Sequence, residues 1–335
     1  MIINSKKFLS LQMEVNEEDF LPVSKEEQKH LVQMRENVSY WKDAWRRLKQ
    51  NKIAMVSLVV IVAVFLFAFI GPMLSPYTYD MQNRGDESLF PCQEYIFGTD
   101  QFGRDLLVRT MIGTRISLII GVGAALLVVI IGSIYGAISG LIGGKVDNIM
   151  MRICELIYSV PDILVIILLQ ITLKDPLTAL VDAGKMGPLQ KLGPGIIAIF
   201  IVYALLYWVG MARIIRGQVL QLKEMEFISA AKALGASNKR LILKHLLPNC
   251  TGQLVVTTML QIPSAIFTEA FLSFLGLGVS MPMASLGSLS AAALDGLSSY
   301  PYKLIFPAAT ISIIILAFNL FGDGLRDALD PKMKK

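Results

Sequence analysis

Residues 116–144 read ISLIIGVGAALLVVIIGSIYGAISGLIGG and contain no charged side chain. A helix needs about 20 apolar residues to cross the hydrocarbon core of a bilayer, so this stretch can span a membrane. Five further apolar runs reach at least 18 residues: Ile53–Ile70, Leu156–Leu173, Leu192–Ala212, Leu246–Thr268 and Leu304–Gly322. Six such runs predict an all-α integral membrane protein with six transmembrane helices, because lipid offers no hydrogen-bond partner to an open backbone. A large soluble protein would not gather six of them in one chain.

Composition and the N-terminal segment agree with this class. The chain is 54% hydrophobic and 17% charged, whereas soluble domains carry about 25% charged residues. About fifty residues rich in Lys and Glu precede the first run, so Met1–Lys52 is not expected to be a cleaved signal peptide. Within it, apolar residues recur three or four apart among basic ones: Trp41, Ala44, Trp45 and Leu48. This pattern predicts a helix at the lipid headgroup level. The adjoining run disfavours a nucleic-acid-binding arm.

The Lys and Arg residues between the runs predict an orientation. If the N-terminus is cytoplasmic, the inner segments hold Arg46, Arg47, Lys49, Lys52, Lys145, Arg152, Arg213, Arg216, Lys223, Lys232, Lys239, Arg240, Lys244, Arg326, Lys332, Lys334 and Lys335. The outer segments then hold fewer: Arg84, Arg104, Arg109, Lys174, Lys185 and Lys191. An excess of basic residues on the inner side places both termini in the cytoplasm.

Glycine and proline residues within the runs predict how the helices pack. Four glycines follow one another at intervals of four residues: Gly132, Gly136, Gly140 and Gly144. Glycines at this spacing form a smooth face that another helix can approach closely, so a packing role is expected for them. Pro161 lies early in the third run and Pro263 in the fifth, where each predicts a kink.

Two glutamates and one uncharged segment lie at the predicted ends of spans. Glu155 and Glu269 are expected to extend to water there, and a place on a transport pathway is the less common alternative. The stretch Ala270–Leu294 has no charge but several Gly residues and Pro282. It therefore reads as the end of the fifth span and an apolar outer loop, not a seventh helix.

No enzyme site is predicted. SGLIGGKV at Ser139–Val146 resembles a phosphate-binding loop but lacks its first Gly and its final Ser or Thr, and it follows a membrane helix instead of a strand. The histidines, His30 and His245, have no ligand partners at metal spacing, and the three cysteines form no pair by spacing. Asp100 and Asp105 lie in FGTDQFGRD. A structural turn with an ion pair is a better interpretation of this segment than acid–base chemistry. No cofactor is expected to bind this chain.

Residues 220–249, which we name the elbow, join the fourth and fifth runs. Leu220–Leu234 favours a helix, Gly235 suits a left-handed helix cap, Ser237 can cap a second helix and Pro248 is expected to end it. Small residues at the corner leave room for a close partner: Ala230, Ala231, Ala233, Gly235 and Ala236. A DNA-reading helix–turn–helix is the alternative, but both ends of the elbow enter spans and leave no free recognition helix. Docking of a soluble protein is predicted.

The elbow resembles the EAA loop of ABC-importer permeases. Ala230, Ala231, Gly235, Leu247 and Pro248 match its pattern, and Ser229 replaces the usual Glu. Further segments resemble, in order, the signatures of the oligopeptide/dipeptide permease C subunit: FGTDQFGRDLLVR, GTRISL, DNIMMRICELIYSVP, ARIIRGQVL, LGASNKRLILKHLLPN, EAFLSFLGLGV and FNLFGDGLRDALDP. They cover nearly all of the chain beyond about residue 40.

The resemblance implies a fold, partners and a membrane. The fold is the type I ABC-importer permease (MetI-like) fold, with a cytoplasmic segment 1–52, a first helix and outer loop 53–112, a core 113–322 and a cytoplasmic tail 323–335. The expected partners are a homologous second permease, two ATPase subunits that use ATP and Mg, and an extracytoplasmic peptide-binding protein. The expected location is the bacterial cytoplasmic membrane, with lipid around the chain and no nucleic acid bound.

In this family the EAA loop forms a coupling helix that lies in a groove of the ATPase. The resemblance therefore assigns close ATPase contact to Ala230, Ala231 and Gly235. Lys232, Lys239 and Arg240 would be supporting charges, with simple solvation as the alternative.

Two departures and several alternatives stay open. Glu226, one turn before Ser229, is a candidate substitute for the missing carboxylate, and Leu286 stands where many members have Trp. Nickel or another small solute is an alternative substrate. A secondary transporter would need carboxylates within the spans, whereas Asp162 is the one charged residue in the six runs. An ion channel would need a symmetric filter segment, and none is evident.

Overall fold

The computed structural model describes residues 39–279 and 283–329. Residues 44–329 belong to one compact unit. Residues 39–43 contain the start of the helix Tyr40–Gln50. His30, Pro282 and the basic tail residues Lys332, Lys334 and Lys335 lie outside the described residues, as do most of segment 1–52 and the end of 323–335.

The described residues are mainly helical, and the longest stretch without a helix is 75–105. In chain order, the α-helices are α1 Tyr40–Gln50, α2 Lys52–Phe69, α3 Gly71–Leu74, α4 Leu106–Ile142, α5 Gly144–Tyr158, α6 Asp162–Asp182, α7 Gly193–Leu206, α8 Trp208–Leu222, α9 Glu226–Ala233, α10 Asn238–Arg240, α11 Leu247–Asn249, α12 Thr251–Phe274, α13 Leu286–Ala292 and α14 Tyr302–Leu329. Short segments of other geometry are the 3-10 segments Gly187–Leu192 and Leu294–Gly296 and the π segment Leu241–Leu246.

Six helical segments are long and apolar enough to cross a membrane. They are α2, α4, α6, the continuous α7–α8 segment Gly193–Leu222, α12 and α14. The prediction of six spans in an all-α protein is therefore confirmed. Because the spans alternate in direction, the elbow lies at one end of the bundle, and residues 70–105 and 275–301 lie at the opposite end.

The spans are longer than the apolar runs that predicted them. Helix α4 begins at Leu106, ten residues before the charge-free stretch, because Asp105 caps it by accepting hydrogen bonds from the Leu107 and Val108 amides. The arginines in its first turns are held by backbone carbonyl groups. Arg109 donates to Tyr79 O at 3.4 Å and Arg115 donates to Ala68 O at 3.0 Å.

The third span begins later than predicted. Helix α5 ends at Tyr158, and Pro161 lies just before α6 and not within a span. A residue that precedes proline disfavours the helical conformation, so the chain breaks at Ser159 and Val160. Pro263 does lie inside its helix, α12, as expected.

The close glycine contact is between α4 and α8. A methyl group on any of three glycines would come within 2.3–3.0 Å of a backbone carbonyl oxygen of α8, the pairs being Gly132–Trp208, Gly136–Ala212 and Gly140–Arg216. Both members of the pairs advance by four residues, so the two backbones lie against each other along two helical turns. Gly144 is not part of this face. It follows the end of α4, has φ +58° and has no heavy atom within 4 Å of that position.

The opposite end is organised by the FGTDQFGRD turn. Asp100 accepts from Arg104 Nε at 2.7 Å and lies 3.5 Å from Arg109 Nε, while Gly98 and Gly103 have φ of +76° and +67°. Such a φ is unfavourable for residues with a Cβ, which explains the two glycines. A structural turn with an ion pair was the predicted role.

Residues 270–294 do not form a seventh span. Helix α12 continues to Phe274, and the short helix α13 packs between α12 and α14. Leu286, at the position where Trp is common in the resembled family, is fully buried at the start of α13.

Candidate functional site

The elbow contains two helical segments, but the first is not one continuous helix over 220–234. Helix α8 ends at Leu222 and α9 begins at Glu226, with Met225 extended between them at φ −74° and ψ 145°. This break turns α9 away from the direction of α8 and allows Ile228 to be buried completely. The prediction of an uninterrupted helix is wrong because tertiary burial of one residue outweighs helix propensity.

The corner of the elbow has the predicted caps. Gly235 follows α9 with φ +80°, and its amide donates to Lys232 O at 2.9 Å. Ser237 Oγ accepts from the Arg240 amide at 3.4 Å and so caps α10. Both features follow from local chemistry, because glycine adopts positive φ without strain and serine satisfies a free amide of the first turn.

Pro248 does not end the second helical segment as expected. The turn before it is a π turn, in which the Leu247 amide donates to Ile242 O, five residues back. Proline has no amide hydrogen and its ring crowds the preceding turn, and the wider π turn accommodates both constraints. The chain stays helical to Asn249, and α12 follows from Thr251.

One side of the elbow is fixed to the bundle. Ile228, Leu241 and Leu246 are buried in the same core as residues of α4, α7 and α8. Ala231 and Leu247 are half-buried against that core. Because protein interiors are close-packed, a displacement of the elbow must displace these helices as well.

The other side of the elbow is exposed. The exposed residues include most of the predicted contact set: Ser229, Ala230, Lys232, Gly235, Lys239, Arg240 and Pro248. At the corner Leu234 is 89% exposed, and Met225, Phe227 and Leu243 are also exposed. Sequence reasoning missed this apolar group. The sequence signal for this apolar group was Leu234, a large residue between Ala233 and Gly235. Because the helix ends there, no neighbouring turn can cover the Leu234 side chain.

A second feature missed from the sequence joins three helices next to the elbow. Arg216 of α8 donates from Nε and Nη2 to the two carboxylate oxygens of Asp147 in α5, each at 2.5 Å. Ser139 of α4 donates to the same carboxylate. The hydrogen bonds from Arg216 hold the pKa of the buried Asp147 carboxyl below its usual range. Residues 69 positions apart give no sequence signal of such a pair.

Replacing Asp147 with asparagine is expected to lower the free energy of unfolding by about 2 kcal/mol near neutral pH, because both donors lose a charged acceptor. The folded pKa is lower than the unfolded value of about 3.9, so the wild-type advantage is complete above that pH. It is lost as the pH falls towards the folded pKa. Thermal unfolding in detergent should show that the difference in stability between wild type and Asp147→Asn becomes smaller below about pH 4. A gap independent of pH would contradict this role.

The two glutamates predicted to extend to water, with a pathway role as the alternative, differ in environment. Glu155 is exposed and pairs with Arg152 at 2.7 Å. Glu269 is wrongly predicted to reach water, because it is 0% exposed within α12. It accepts hydrogen bonds from Ser117 at 2.9 Å and Ser273 at 2.7 Å. These contacts fix α12 to α4 and place a carboxylate inside a span, one residue beyond the apolar run Leu246–Thr268 that predicted it.

Two cavities open beside α6, one near each of its ends. The first, about 610 Å³, is lined by residues 157–162, the α7–α8 junction and α12, and its polar groups include Asp162, Tyr207 and Gln261. The second, about 500 Å³, is lined by α6 from Gln170 onwards, by the start of α7 and by residues 277–279. Sequence reasoning predicted neither, because each wall comes from distant segments.

The segment that resembles a phosphate loop forms a helix end. Ser139 is in the last turn of α4, Gly143 ends that helix and Lys145 is exposed at the start of α5. Among the described residues, no group of three His, Cys, Asp or Glu side chains is close enough to hold a metal ion. In the same part of the chain, Cys92 is exposed, Cys154 and Cys250 are buried, and all three are free thiols.

Comparison with known proteins gives two family matches and several close relatives. The description "Binding-protein-dependent transport system inner membrane component" matches residues 129–335, and "N-terminal TM domain of oligopeptide transport permease C" matches residues 39–91. The oligopeptide transport system permease protein of Bacillus subtilis is 46% identical over 301 residues, which are 90% of this chain and 92% of that protein.

Two further relatives have similar coverage. The dipeptide transport system permease protein of Bacillus subtilis is 46% identical over 302 residues, 90% of this chain and 88% of that protein. The oligopeptide transport system permease protein of Haemophilus influenzae is 44% identical over 299 residues, 89% of this chain and 90% of that protein.

Proposed function

This chain belongs to the family of binding-protein-dependent transport system inner membrane components, and we propose that it is the permease subunit of an ATP-driven importer of oligopeptides or dipeptides. Family membership confirms the resemblance seen in the motifs and the type I ABC permease fold. Relatives with 44–46% identity over most of the chain are named oligopeptide or dipeptide transport permeases, and these names support peptide as the substrate. The chain is a transport subunit and not itself a catalyst.

The elbow is proposed as the surface that contacts the ATPase. Ala230, Ala231 and Gly235 allow close approach, and Leu234 supplies an exposed apolar side chain that a partner would bury. Lys232, Lys239 and Arg240 surround it with positive charge. Glu226 is exposed in the first turn of α9 and remains the candidate replacement for the carboxylate missing at Ser229.

The fixed side of the elbow provides the mechanical link. Closure of the ATPase pair would move the elbow, and the buried residues Ile228, Leu241 and Leu246 would carry the movement into α4, α7 and α8. Two such bundles would then exchange inward-open and outward-open arrangements as rigid bodies. The Asp147–Arg216 ion pair keeps α5 and α8 together during that movement.

The proposed assembly has the partners implied by the family. It comprises a homologous second permease, two ATPase subunits that use ATP and Mg, and an extracytoplasmic peptide-binding protein, in the bacterial cytoplasmic membrane. Helix α6 is largely exposed, and 17% of its most apolar stretch is buried. This exposure fits a helix that contacts lipid or the second permease. In this arrangement the elbow and both termini are cytoplasmic.

A secondary transporter is the competing class, and Glu269 is the residue that would favour it. Its carboxylate is enclosed by protein and accepts one serine hydroxyl group on each oxygen, which suits a structural anchor better than an ion-coupling site. Uptake of nickel or another small solute is the competing substrate assignment.

Reconstitution of the complete transporter tests the function. Proteoliposomes with both permeases, both ATPases and the binding protein should accumulate radiolabelled trialanine with ATP and Mg, and should not do so with a non-hydrolysable ATP analogue. Accumulation driven by an ion gradient without ATP would contradict the proposal. Accumulation of nickel but not of peptide would show that nickel, and not peptide, is the substrate.

Labelling tests the orientation. In a Cys92→Ser background, Leu234→Cys should react with a membrane-impermeant maleimide in inverted vesicles and not in right-side-out vesicles, since Cys154 and Cys250 are buried. Reaction only in right-side-out vesicles would place the elbow where no cytoplasmic ATPase could bind.

A further inference from the structure

A line of polar residues runs along α6 although this helix is a membrane span. Gln170, Lys174, Thr178 and Asp182 recur at intervals of four, so they lie on one side of the helix. Polar and charged groups within a span are costly and usually face a partner or a water-filled cavity. All four line the same cavity of about 500 Å³.

The cavity has the size and walls of a small-molecule site. Its volume is within the range of about 300–1,000 Å³ typical of ligand pockets. Opposite α6 are Gly193, Pro194 and Gly195, the first turn of the 14-residue helix α7, and residues 277–279 close the third side. Gly195 and Gly278 pack against each other where these two walls meet, and a Cβ on Gly195 would lie 2.4 Å from Gly278 O.

Gln170 is the residue that indicates an absent ligand. Its side chain is 2% exposed, lines the cavity, and its Nε2 has no hydrogen-bond partner in residues 39–279 or 283–329. A buried amide group is almost always paired in folded proteins, so an unpaired one predicts an acceptor that is bound at another stage.

The other groups around Gln170 also favour an acceptor with negative charge. Lys174, one turn further along α6, is exposed to the cavity and forms no ion pair within the described part of the chain. In the first turn of α7 the Gly193 amide donates to Gln190 O and Pro194 has no N–H, which leaves the Gly195 amide without a partner within the helix, and Leu192 provides no side-chain cap. Thr178 is no donor to a ligand, because its hydroxyl donates to Lys174 O at 2.8 Å.

One carboxylate, Asp182, also lines the cavity. It lies two turns beyond Lys174, about 12 Å along the helix axis at 1.5 Å per residue, so it does not neutralise the Gln170 end. The cavity is therefore positive near Lys174 and negative at its rim. A short peptide with free termini has the same separation of charge.

We propose that Gln170, Lys174 and the first turn of α7 form a subsite that binds the C-terminal carboxylate of the transported peptide. This proposal rests on the peptide-import function proposed above and adds to it a site within the permease. The Gln170 amide, the Lys174 ammonium group and the Gly195 N–H are suitable donors for a carboxylate, and charge-assisted bonds are the stronger kind.

The test compares two peptides in the complete transporter. Uptake of trialanine and of trialanine amide is measured per permease molecule in the membrane, at peptide concentrations that saturate the binding protein. Lys174→Gln should lower trialanine uptake about tenfold, the loss expected for one charge-assisted bond, and trialanine amide uptake less than about twofold. Thr178→Asp, which adds a negative charge beside Lys174, should show the same selectivity.

Matched variants separate this role from a structural one. Lys174→Arg should keep most of the trialanine uptake, and Lys185→Gln, an exposed lysine beyond the end of α6 that does not line the cavity, should change neither peptide. Equal loss of both peptides in Lys174→Gln and Thr178→Asp, or no loss, would overturn the subsite. Failure of the wild-type transporter to take up either peptide would instead refute the import function.

Discussion

Replacing Gly235 with tryptophan is expected to leave the chain in the membrane and to reduce ATP-driven peptide uptake by about 100-fold or more. Gly235 has φ +80° and no heavy atom within 4 Å of a would-be Cβ, so the bundle has room for the new side chain. The indole would instead cover the corner beside Leu234, where the ATPase is proposed to approach. Loss of a central interface contact can cost about 3 kcal/mol, and at about 1.4 kcal/mol for each factor of ten this gives the expected reduction.

Gly144 provides the matched control. It also has positive φ and no heavy atom within 4 Å of a would-be Cβ, but it lies at the start of α5, outside the elbow. Gly144→Trp introduces similar backbone strain and should keep uptake within about twofold of wild type. Uptake, membrane content and co-purification with the ATPase subunits are the measurements. Normal uptake by Gly235→Trp, or equal losses in the two variants, would refute the docking role.

The second large effect is expected at Gly136. Gly136→Leu should destabilise the permease by about 3 kcal/mol or more, since overpacking against backbone cannot be relieved by a rotamer change. A Cβ there would lie 2.3 Å from Ala212 O and 3.0 Å from Arg216 N, so α4 and α8 would have to separate. The amount of folded protein in membranes and the thermal unfolding temperature in detergent should both fall sharply.

Gly217 is the comparison within the same pair of helices. It lies in α8 and has no heavy atom within 4 Å of its would-be Cβ. Gly217→Leu should unfold within a few degrees of wild type, since leucine favours the helix more than glycine does. If Gly136→Leu were as stable as Gly217→Leu, the glycine contact would not be what holds α4 and α8 together.

The six spans and the corner of the elbow were predictable because their signals are local. A charge-free run is sufficient to indicate a span, and Gly235 and Ser237 act through their own backbone and side-chain chemistry. The glycine spacing likewise predicted a close contact for Gly132, Gly136 and Gly140, although not that α8 was the partner.

The remaining features depend on residues that are distant in the chain. Asp147 meets Arg216, and Glu269 meets Ser117, only when the helices pack, so nothing near either residue indicates its burial. The polar line on α6 was readable at four-residue spacing, but without the cavity it could not be separated from a solvated face. Pro161 was misplaced because the apolar run was drawn through Ser159 and Asp162, the polar residues that flank the break.

Helix α4 is 37 residues long, which corresponds to about 55 Å, whereas the hydrocarbon core of a bilayer is about 30 Å thick. Both of its ends therefore emerge from the hydrocarbon, and a thicker membrane alters the inclination of the rod more than the exposure of its ends. Tilting a rod of this length by about 10° displaces one tip by about 10 Å relative to the other. A small angular change at the Ser139 end would thus become a wide opening or narrowing at the Asp105 end.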